Sequence, residues 1–237
     1  MIIAGTTPIL SARGVCKTYR TGAVEVEALR GIDLDLAAGE MVTVMGPSGN
    51  GKTTLLNCLS GLDDIDAGTI FIDGHDITAM SDAQRTEHRA GRMVFVFQSF
   101  NLIGVLSAAE NVELPLLLSG VRSKEARLRS IEMLGRVGLD DRHQHRPAEL
   151  SGGEQQRVAI ARALVSEPAI IWADEPTGNL DSFTAGAVLD LLRAVHEAGQ
   201  TLVIITHDAT VGASGQRRIE VRDGRIEHDG APALSDR

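Results

Sequence analysis

The sequence predicts an α/β protein with a parallel core sheet, an N-terminal antiparallel β subdomain and an inserted α-helical subdomain. Three observations carry this prediction. Short alternating apolar segments fill residues 9–36, compact apolar runs then alternate with helical stretches, and strand signals vanish between roughly residues 100 and 150. The 237 residues suffice for one large domain with a full core, or for a core domain carrying a smaller lobe, whereas two independent domains would be a tight fit.

Taken in order, Ile32, Leu34 and Leu36 alternate with Asp33 and Asp35, the period of half-buried strands. Residues 41–45 form a compact strand ending at Gly46, followed by a glycine-rich turn and a helix whose Leu55, Leu56, Leu59 and Leu62 share one face. Ile70 and Ile72 flank Phe71 ahead of an Asp73-Gly74 turn, and a polar helical stretch from Asp82 leads to a buried strand over 93–97. In the helical region, Ser123 is placed to cap a helix carrying Leu128, Ile131, Leu134 and Val137. A helix through Val158, Ile160 and Leu164 stops ahead of Pro168, and residues 170–173 read as a buried parallel strand. A helix carrying Val188, Leu191, Leu192 and Val195 leads to a strand over 202–205. The pattern closes with a hairpin over 219–226 around Asp223-Gly224, and disorder is expected beyond His228.

The bulk composition narrows the function. A formal net charge of −9 opposes a broad, non-specific grip on nucleic acid, which needs clustered Lys and Arg. Cys16 and Cys58 stand in unrelated contexts without metal-ligand spacing, as expected of two thiols in a reducing compartment. The opening MIIAGTTPIL has no basic stretch and only a short apolar run, so neither a secretory signal nor an anchor is expected. The most apolar stretch, near residues 114–121, is interrupted by Pro115 and preceded by Glu110 and Glu113, so no bilayer span is expected. Any membrane role must therefore run through a partner. His143-Gln144-His145 lacks a third nearby ligand, and Asp63-Asp64-Ile65-Asp66 lacks the spacing of a Ca²⁺ loop and reads as a charged turn.

Chemistry concentrates in three places. Gly46-Pro47-Ser48-Gly49-Asn50-Gly51-Lys52-Thr53 matches the phosphate-binding pattern GxxxxGK[ST] and lies between a strand and a helix, where its backbone N–H groups can cradle phosphate oxygens. A ligand-free glycine turn is the plain alternative, but the full pattern in this setting argues against it. Lys52 supplies positive charge, the Thr53 hydroxyl is placed to ligate Mg²⁺, and Thr54 to help hold the α-phosphate. The run Ile170-Ile171-Trp172-Ala173-Asp174-Glu175 is a strand ending in acids. Asp174 is expected to hold Mg²⁺ through water, and Glu175 to orient the attacking water or accept its proton. Third, in Leu150-Ser151-Gly152-Gly153-Glu154-Gln155-Gln156-Arg157, Ser151 and Glu154 make a capping box, which alone explains a helix start. Gly152 and Gly153 weaken that account, since backbone freedom there is a cost unless a ligand comes close, and suggest a nucleotide held from two sides.

These residues resemble the ATP-binding cassette (ABC) ATPases, of which LSGGEQQR is the signature, over roughly residues 9–227. The resemblance implies a P-loop NTPase cassette: a RecA-like core with its antiparallel β subdomain over 1–99 and 151–228, a helical subdomain over 100–150, and a disordered tail over 229–237. It further implies that Gln98 senses Mg²⁺ and the γ-phosphate, that Asp181 in Gly178-Asn179-Leu180-Asp181 is the D-loop residue and, with Ser151, Gly152 and Gly153, belongs to the nucleotide-binding set, that His207 is the switch histidine that stabilises charge at the γ-phosphate, and that Tyr19 stacks on adenine. The segments Phe97-Gln98-Ser99-Phe100-Asn101-Leu102 and Glu110-Asn111-Val112-Glu113-Leu114-Pro115, with residues 173–181, look like the LolD, MacB and FtsE type. The departures are Asn50 where Ser is usual, Trp172 where an aliphatic is usual, and Gly104-Val105 in place of a Pro-containing turn; none removes a reacting group. Implied with the family are ATP and Mg²⁺ as cofactors, a homodimer of ATPase subunits, and an integral membrane permease partner. The implied location is the cytoplasmic side of the membrane, and no nucleic acid is implied. An FtsE-like regulator of cell-wall enzymes and a soluble ABC ATPase acting on DNA or ribosomes are the rival readings; the single compact cassette and acidic charge speak against the latter.

Overall fold

The computed structural model describes residues 7–22 and 24–232, so the expectations for the first six residues and for 233–237 lie outside the described residues. The chain runs β1 (Leu10–Thr21), β2 (Val24–Leu36), β3 (Met41–Met45), α1 (Lys52–Leu59), β4 (Ala67–Ile72), β5 (His75–Asp76), α2 (Asp82–Arg92) and β6 (Met93–Phe97). It continues through α3 (Ala108–Leu118), α4 (Ser123–Arg136), α5 (Gly152–Leu164), β7 (Ile170–Asp174), α6 (Ser182–Glu197), β8 (Thr201–Ile205), α7 (Ala209–Gly212), β9 (Arg217–Arg222) and β10 (Arg225–Gly230).

The strands form two sheets. One is antiparallel in the order β2-β1-β4-β5; the other has the order β10-β9-β3-β8-β7-β6, with every neighbouring pair parallel except the edge hairpin β9-β10. Every residue of β3 and β8 is buried, because helices and the second sheet cover both faces of the parallel sheet, and this is why those strands read as unbroken apolar runs. Helix α1 packs Leu55, Leu56 and Leu59 into a core shared by both sheets, where Trp172 fills the place an aliphatic side chain would take. A second core lies on the other face, under α5 and α6. A third joins α3, α4 and α5 through Val112, Leu116, Leu134, Val158 and Ala161.

Several local expectations are corrected. Leu62 lies past the end of α1 and is 46% exposed, because Ser60 caps the helix and Gly61 turns the chain at φ 69°. Ser123 opens α4 but does not cap it; Arg122 is the capping position and makes no side-chain cap bond. On α4 the buried face is Ala126, Ser130 and Leu134, spaced by one helical turn, so Leu128 and Ile131 point outward while Val137 is buried past the helix end. Pro115 sits inside α3 without ending it. Among the described residues no helix is long and apolar enough to cross a membrane. Order extends past His228: Asp229 and Gly230 pair with Ile219 and Arg218, and the Arg217 guanidinium binds Asp229 and Glu40 together. These carboxylates raise the pKa of Arg217 and pin the last strand to the sheet.

Candidate active site

A cleft of about 660 Å³ opens at the C-terminal end of the parallel strands. It brings together Tyr19, Ser48, Gly49, Asn50, Gly51, Lys52, Thr53, Thr54, Gln98, Asp174, Glu175 and His207, residues scattered over most of the chain. Gly46 and Pro47 stand behind it, their carbonyls accepting hydrogen bonds from Lys52 Nζ at 2.7 and 2.9 Å. The buried ammonium thus lies across the loop that encircles it. Gly51 is the N-cap of α1 at φ 94°, and a Cβ there would overlap the Ala28 carbonyl oxygen, so the loop can sit this close to β2 only with glycine. Helix α1 has no side-chain cap and no acid in its first turn, which leaves its N–H groups and positive dipole end directed at the cleft.

The acids follow from β7 and β8. Burial, then repulsion from Glu175, holds the Asp174 carboxyl above the ordinary carboxylate range, and Lys52 opposes this. Glu175 adopts φ 47° and donates its N–H to Ile205 O at 2.9 Å, locking the turn after β7 against β8. Its carboxylate accepts from Thr206 Oγ1 at 3.1 Å and from the His207 N–H at 3.0 Å. His207 Nδ1 stands 2.6 Å from the same Glu175 oxygen and donates to it when that nitrogen carries the proton. Glu175 and His207 are therefore positioned as a pair. Gln98 donates from Nε2 to Asn179 Oδ1 at 3.0 Å and accepts at its backbone carbonyl from Asn179 Nδ2, which leaves its amide oxygen for the cleft.

A divalent cation fits this donor set. The Thr53 hydroxyl, the Gln98 amide oxygen and the half-buried Asp174 are all hard oxygen ligands, and among the described residues no cluster of three His, Cys, Asp or Glu exists that would hold a metal by itself. That sparse set suits Mg²⁺, which takes one or two protein ligands and completes its shell with phosphate and water.

Tyr19 is 39% exposed at the edge of the cleft. Its hydroxyl donates to Asp63 Oδ2 at 2.7 Å, while Lys17 Nζ binds Asp63 Oδ1 at 2.8 Å and stands 5.1 Å from the centre of the Tyr19 ring. The acidic turn read only as a charged turn thus anchors the ring; burial and this acceptor raise the pKa of the phenol.

Ser151, Gly152, Gly153 and Asp181 do not line the cleft. The expected capping box is present: Ser151 Oγ accepts from the Glu154 N–H at 3.3 Å, and Glu154 accepts from the Ser151 N–H at 2.8 Å. Asp181 caps α6, accepting from the Thr184 hydroxyl and from the Thr184 and Phe183 N–H groups, which hold its carboxyl below the ordinary range. The glycine argument is corrected here. A Cβ on Gly153 would overlap Thr184 Cγ2, so close packing against α6 requires this glycine whether or not a ligand approaches.

Sequence reasoning missed Val26, Glu27, Ala28 and Arg30 of β2 and the Asp223-Gly224 turn, all of which line the cleft. The turn reaches it because Gly224 O accepts from the Arg30 N–H at 2.8 Å and Asn50 Oδ1 accepts from the Asp223 N–H at 2.8 Å. No local signal announces these contacts; Asn50, long enough to span the gap where Ser is usual, is the only hint.

Residues 29–178 match the family model described as ABC transporter. An uncharacterized ABC transporter ATP-binding protein of Thermotoga maritima is 50% identical over 213 residues, covering 90% of this chain and 91% of the relative. The macrolide export ATP-binding/permease protein MacB is 46% identical in Brucella melitensis and 44% in Escherichia coli K12, covering 94% and 93% of this chain. This chain spans only 34% of the length of either MacB protein. Among solved structures, the dimeric post-hydrolysis state of the cassette MJ0796 bound to ADP and Pi superposes with a TM-score of 0.85 at 42% identity, covering 94% of this chain and 98% of that one. CbiO1 from Clostridium perfringens, part of the ABC transporter complex cbiONQ, gives 0.86 at 28% identity, covering 95% and 89%.

Proposed function

The chain belongs to the ABC transporter family, and we propose that it works as the Mg²⁺-dependent ATPase that drives an integral membrane permease from the cytoplasmic face. Its fold is that of a P-loop cassette, with the parallel core sheet, antiparallel β sheet and helical segment that the sequence predicts. In the proposed cycle two copies close on two ATP molecules, each held by the cleft of one copy and by Ser151 and Gly153 of the other. The observation that carries this reading is the separation just described: the ligand-facing residues converge in one cleft, while the signature entrance and Asp181 lie outside it. That the MJ0796 cassette bound to ADP and Pi is dimeric supports a working unit of two copies.

Within the cleft each group has a task. Lys52 and the N–H groups of the loop hold the β- and γ-phosphates, and Tyr19 offers its ring to adenine. Thr53, Gln98 and Asp174 would hold Mg²⁺, which supplies charge neutralisation between the phosphates. Glu175 takes the proton of the attacking water, and His207, fixed by the same carboxylate, faces the charge that spreads over the γ-phosphoryl oxygens. Closure of the dimer would move the permease, and its similarity to MacB favours an export or lipoprotein-release type.

The test is Glu175→Gln, which keeps the shape and removes the base. Turnover should fall by about 10²–10⁴-fold, and ATP with Mg²⁺ should trap a dimer visible by light scattering after size exclusion. A variant that stays monomeric under saturating Mg-ATP, even when tethered to a second copy, would refute the shared-site reading.

A further inference from the structure

Just after Gln98 the chain passes through two consecutive residues in the left-handed region, Phe100 at φ 59° and Asn101 at φ 50°. Side chains other than glycine hold such a conformation only where their surroundings enforce it, and for Phe the penalty is greater than for Asn. Here the enforcement comes from α5. Arg162 donates from Nη1 to Asn101 O at 2.6 Å and from Nη2 to Phe100 O at 3.0 Å, gripping both carbonyls of the strained pair with one planar fork.

The cost of this grip is visible. Burial holds the Arg162 guanidinium below its ordinary pKa, and among the described residues no acid forms an ion pair with it. A half-buried cation answered only by carbonyls is a costly way to tie down a loop, which argues that the loop's geometry matters. The loop also lies beside the signature entrance: a Cβ added to Gly152 would stand 3.7 Å from the Phe100 ring. Helix α5 therefore presents Ser151 at its start and holds, near its end, the segment that leads out of Gln98.

We infer that Arg162 is a positioning residue that makes the Gln98 segment travel with α5, so that the glutamine facing the γ-phosphate and the Ser151 entrance move as one body. This rests on the two-copy reading above. Arg162 does not line the cleft. It acts through the backbone of Phe100 and Asn101, and a simple buttress would differ from it in kinetics rather than in stability.

The experiment compares full-length wild type with Arg162→Lys, Arg162→Ala, and Arg162→Ala combined with Asn101→Gly, following ATPase kcat and KM, fluorescent-nucleotide affinity and thermal melting. Folded Arg162→Ala should lose about tenfold in kcat with nucleotide affinity little changed, since the phosphate loop is untouched. Lys, reaching one carbonyl, should fall between. Asn101→Gly, which accepts the left-handed conformation without help, should restore part of the lost rate. A folded Arg162→Ala with wild-type kcat would overturn the inference while leaving the two-copy reading intact. If Arg162→Ala does not fold, a well-folded Arg162→Lys decides in the same way, a lowered kcat supporting the inference and an unchanged one overturning it. A wild type that neither hydrolyses ATP nor dimerises with it would instead remove the two-copy reading and this inference together.

Discussion

Two helix entrances in this protein look alike in sequence and differ in physics. Helix α1 begins at a left-handed glycine with no side-chain cap, carries no acid in its first turn, and has Lys52 as its first residue. Helix α5 begins with a complete capping box and carries Glu154 in its first turn. The first leaves its N–H groups and dipole open and adds a cation, so it can hold phosphate by itself. The second satisfies part of its own N–H set and places a carboxylate where an anion would come, so by itself it is poorly suited to hold phosphate. Their glycines differ too: Gly51 admits the backbone of β2, and Gly153 admits Thr184 of α6. The comparison teaches that a glycine-rich helix start reports close approach of something, and that the neighbour must be identified before a ligand is assumed.

The contrast is broken most sharply by Lys52→Ala set beside Ser151→Ala. Removing the ammonium should weaken Mg-ATP binding by about 10- to 100-fold, the usual worth of a charged hydrogen-bonding group, as read by calorimetry on the isolated chain. Ser151→Ala should leave that affinity nearly unchanged and abolish ATP-dependent dimerisation in the Glu175→Gln background. Equal losses of affinity in the two variants would erase the distinction.

Next in size is Gly153→Ala, which should destabilise the fold by about 1–3 kcal/mol through overpacking. Adding Thr184→Ser removes the opposing methyl and should recover most of that loss in a denaturant melt; no recovery would mean that Thr184 is not what requires the glycine. Smaller still, Asn50→Ser cuts the link from the phosphate loop to the Asp223 turn. It should raise KM for ATP by about threefold to tenfold, the worth of one ordinary hydrogen bond, with kcat unchanged.

The smallest effect concerns pH. Hydrogen bonds from the Ser151 N–H and hydroxyl, aided by Arg142, hold the Glu154 carboxyl below its ordinary value of 4.5. Because the folded value is lowered, its contribution to stability is complete above pH 4.5 and is lost as pH falls through the lower folded value. Glu154→Gln, which keeps a hydrogen-bonding side chain, should flatten that part of the stability profile. Helix α1, with no acid in its first turn, should show no counterpart when melts of phosphate-loop variants are followed over the same range.

Much of this is legible in the sequence alone. The strands and helices around the phosphate loop, the acids after β7 and the capping box of α5 are contiguous or periodic in sequence, and each appears in the structure where the pattern puts it. The misreadings are equally physical. Leu62, Leu128 and Ile131 fit a helical stripe, but periodicity does not tell where a helix ends or which side of it meets the core. Disorder is expected beyond His228 because chain ends are commonly untethered, yet β10 runs through Gly230, where Arg217 binds Asp229 and Glu40.

The sequence by itself determined the alternation of elements, the phosphate-binding loop, the acids at the end of β7 and the capping box of α5, since each of these is written within a few residues, whereas Tyr19, Gln98 and His207 are named by the resemblance to ABC ATPases rather than by a local pattern. Only the tertiary structure decided that Glu175 and His207 share one carboxylate oxygen, that Asp63 anchors Tyr19, that Thr184 requires Gly153, and that Arg162 holds the segment after Gln98. Each of those contacts joins residues far apart in the chain through a hydrogen bond or a steric limit of a few ångströms. Such a contact depends on how whole elements pack, and no local pattern carries that information.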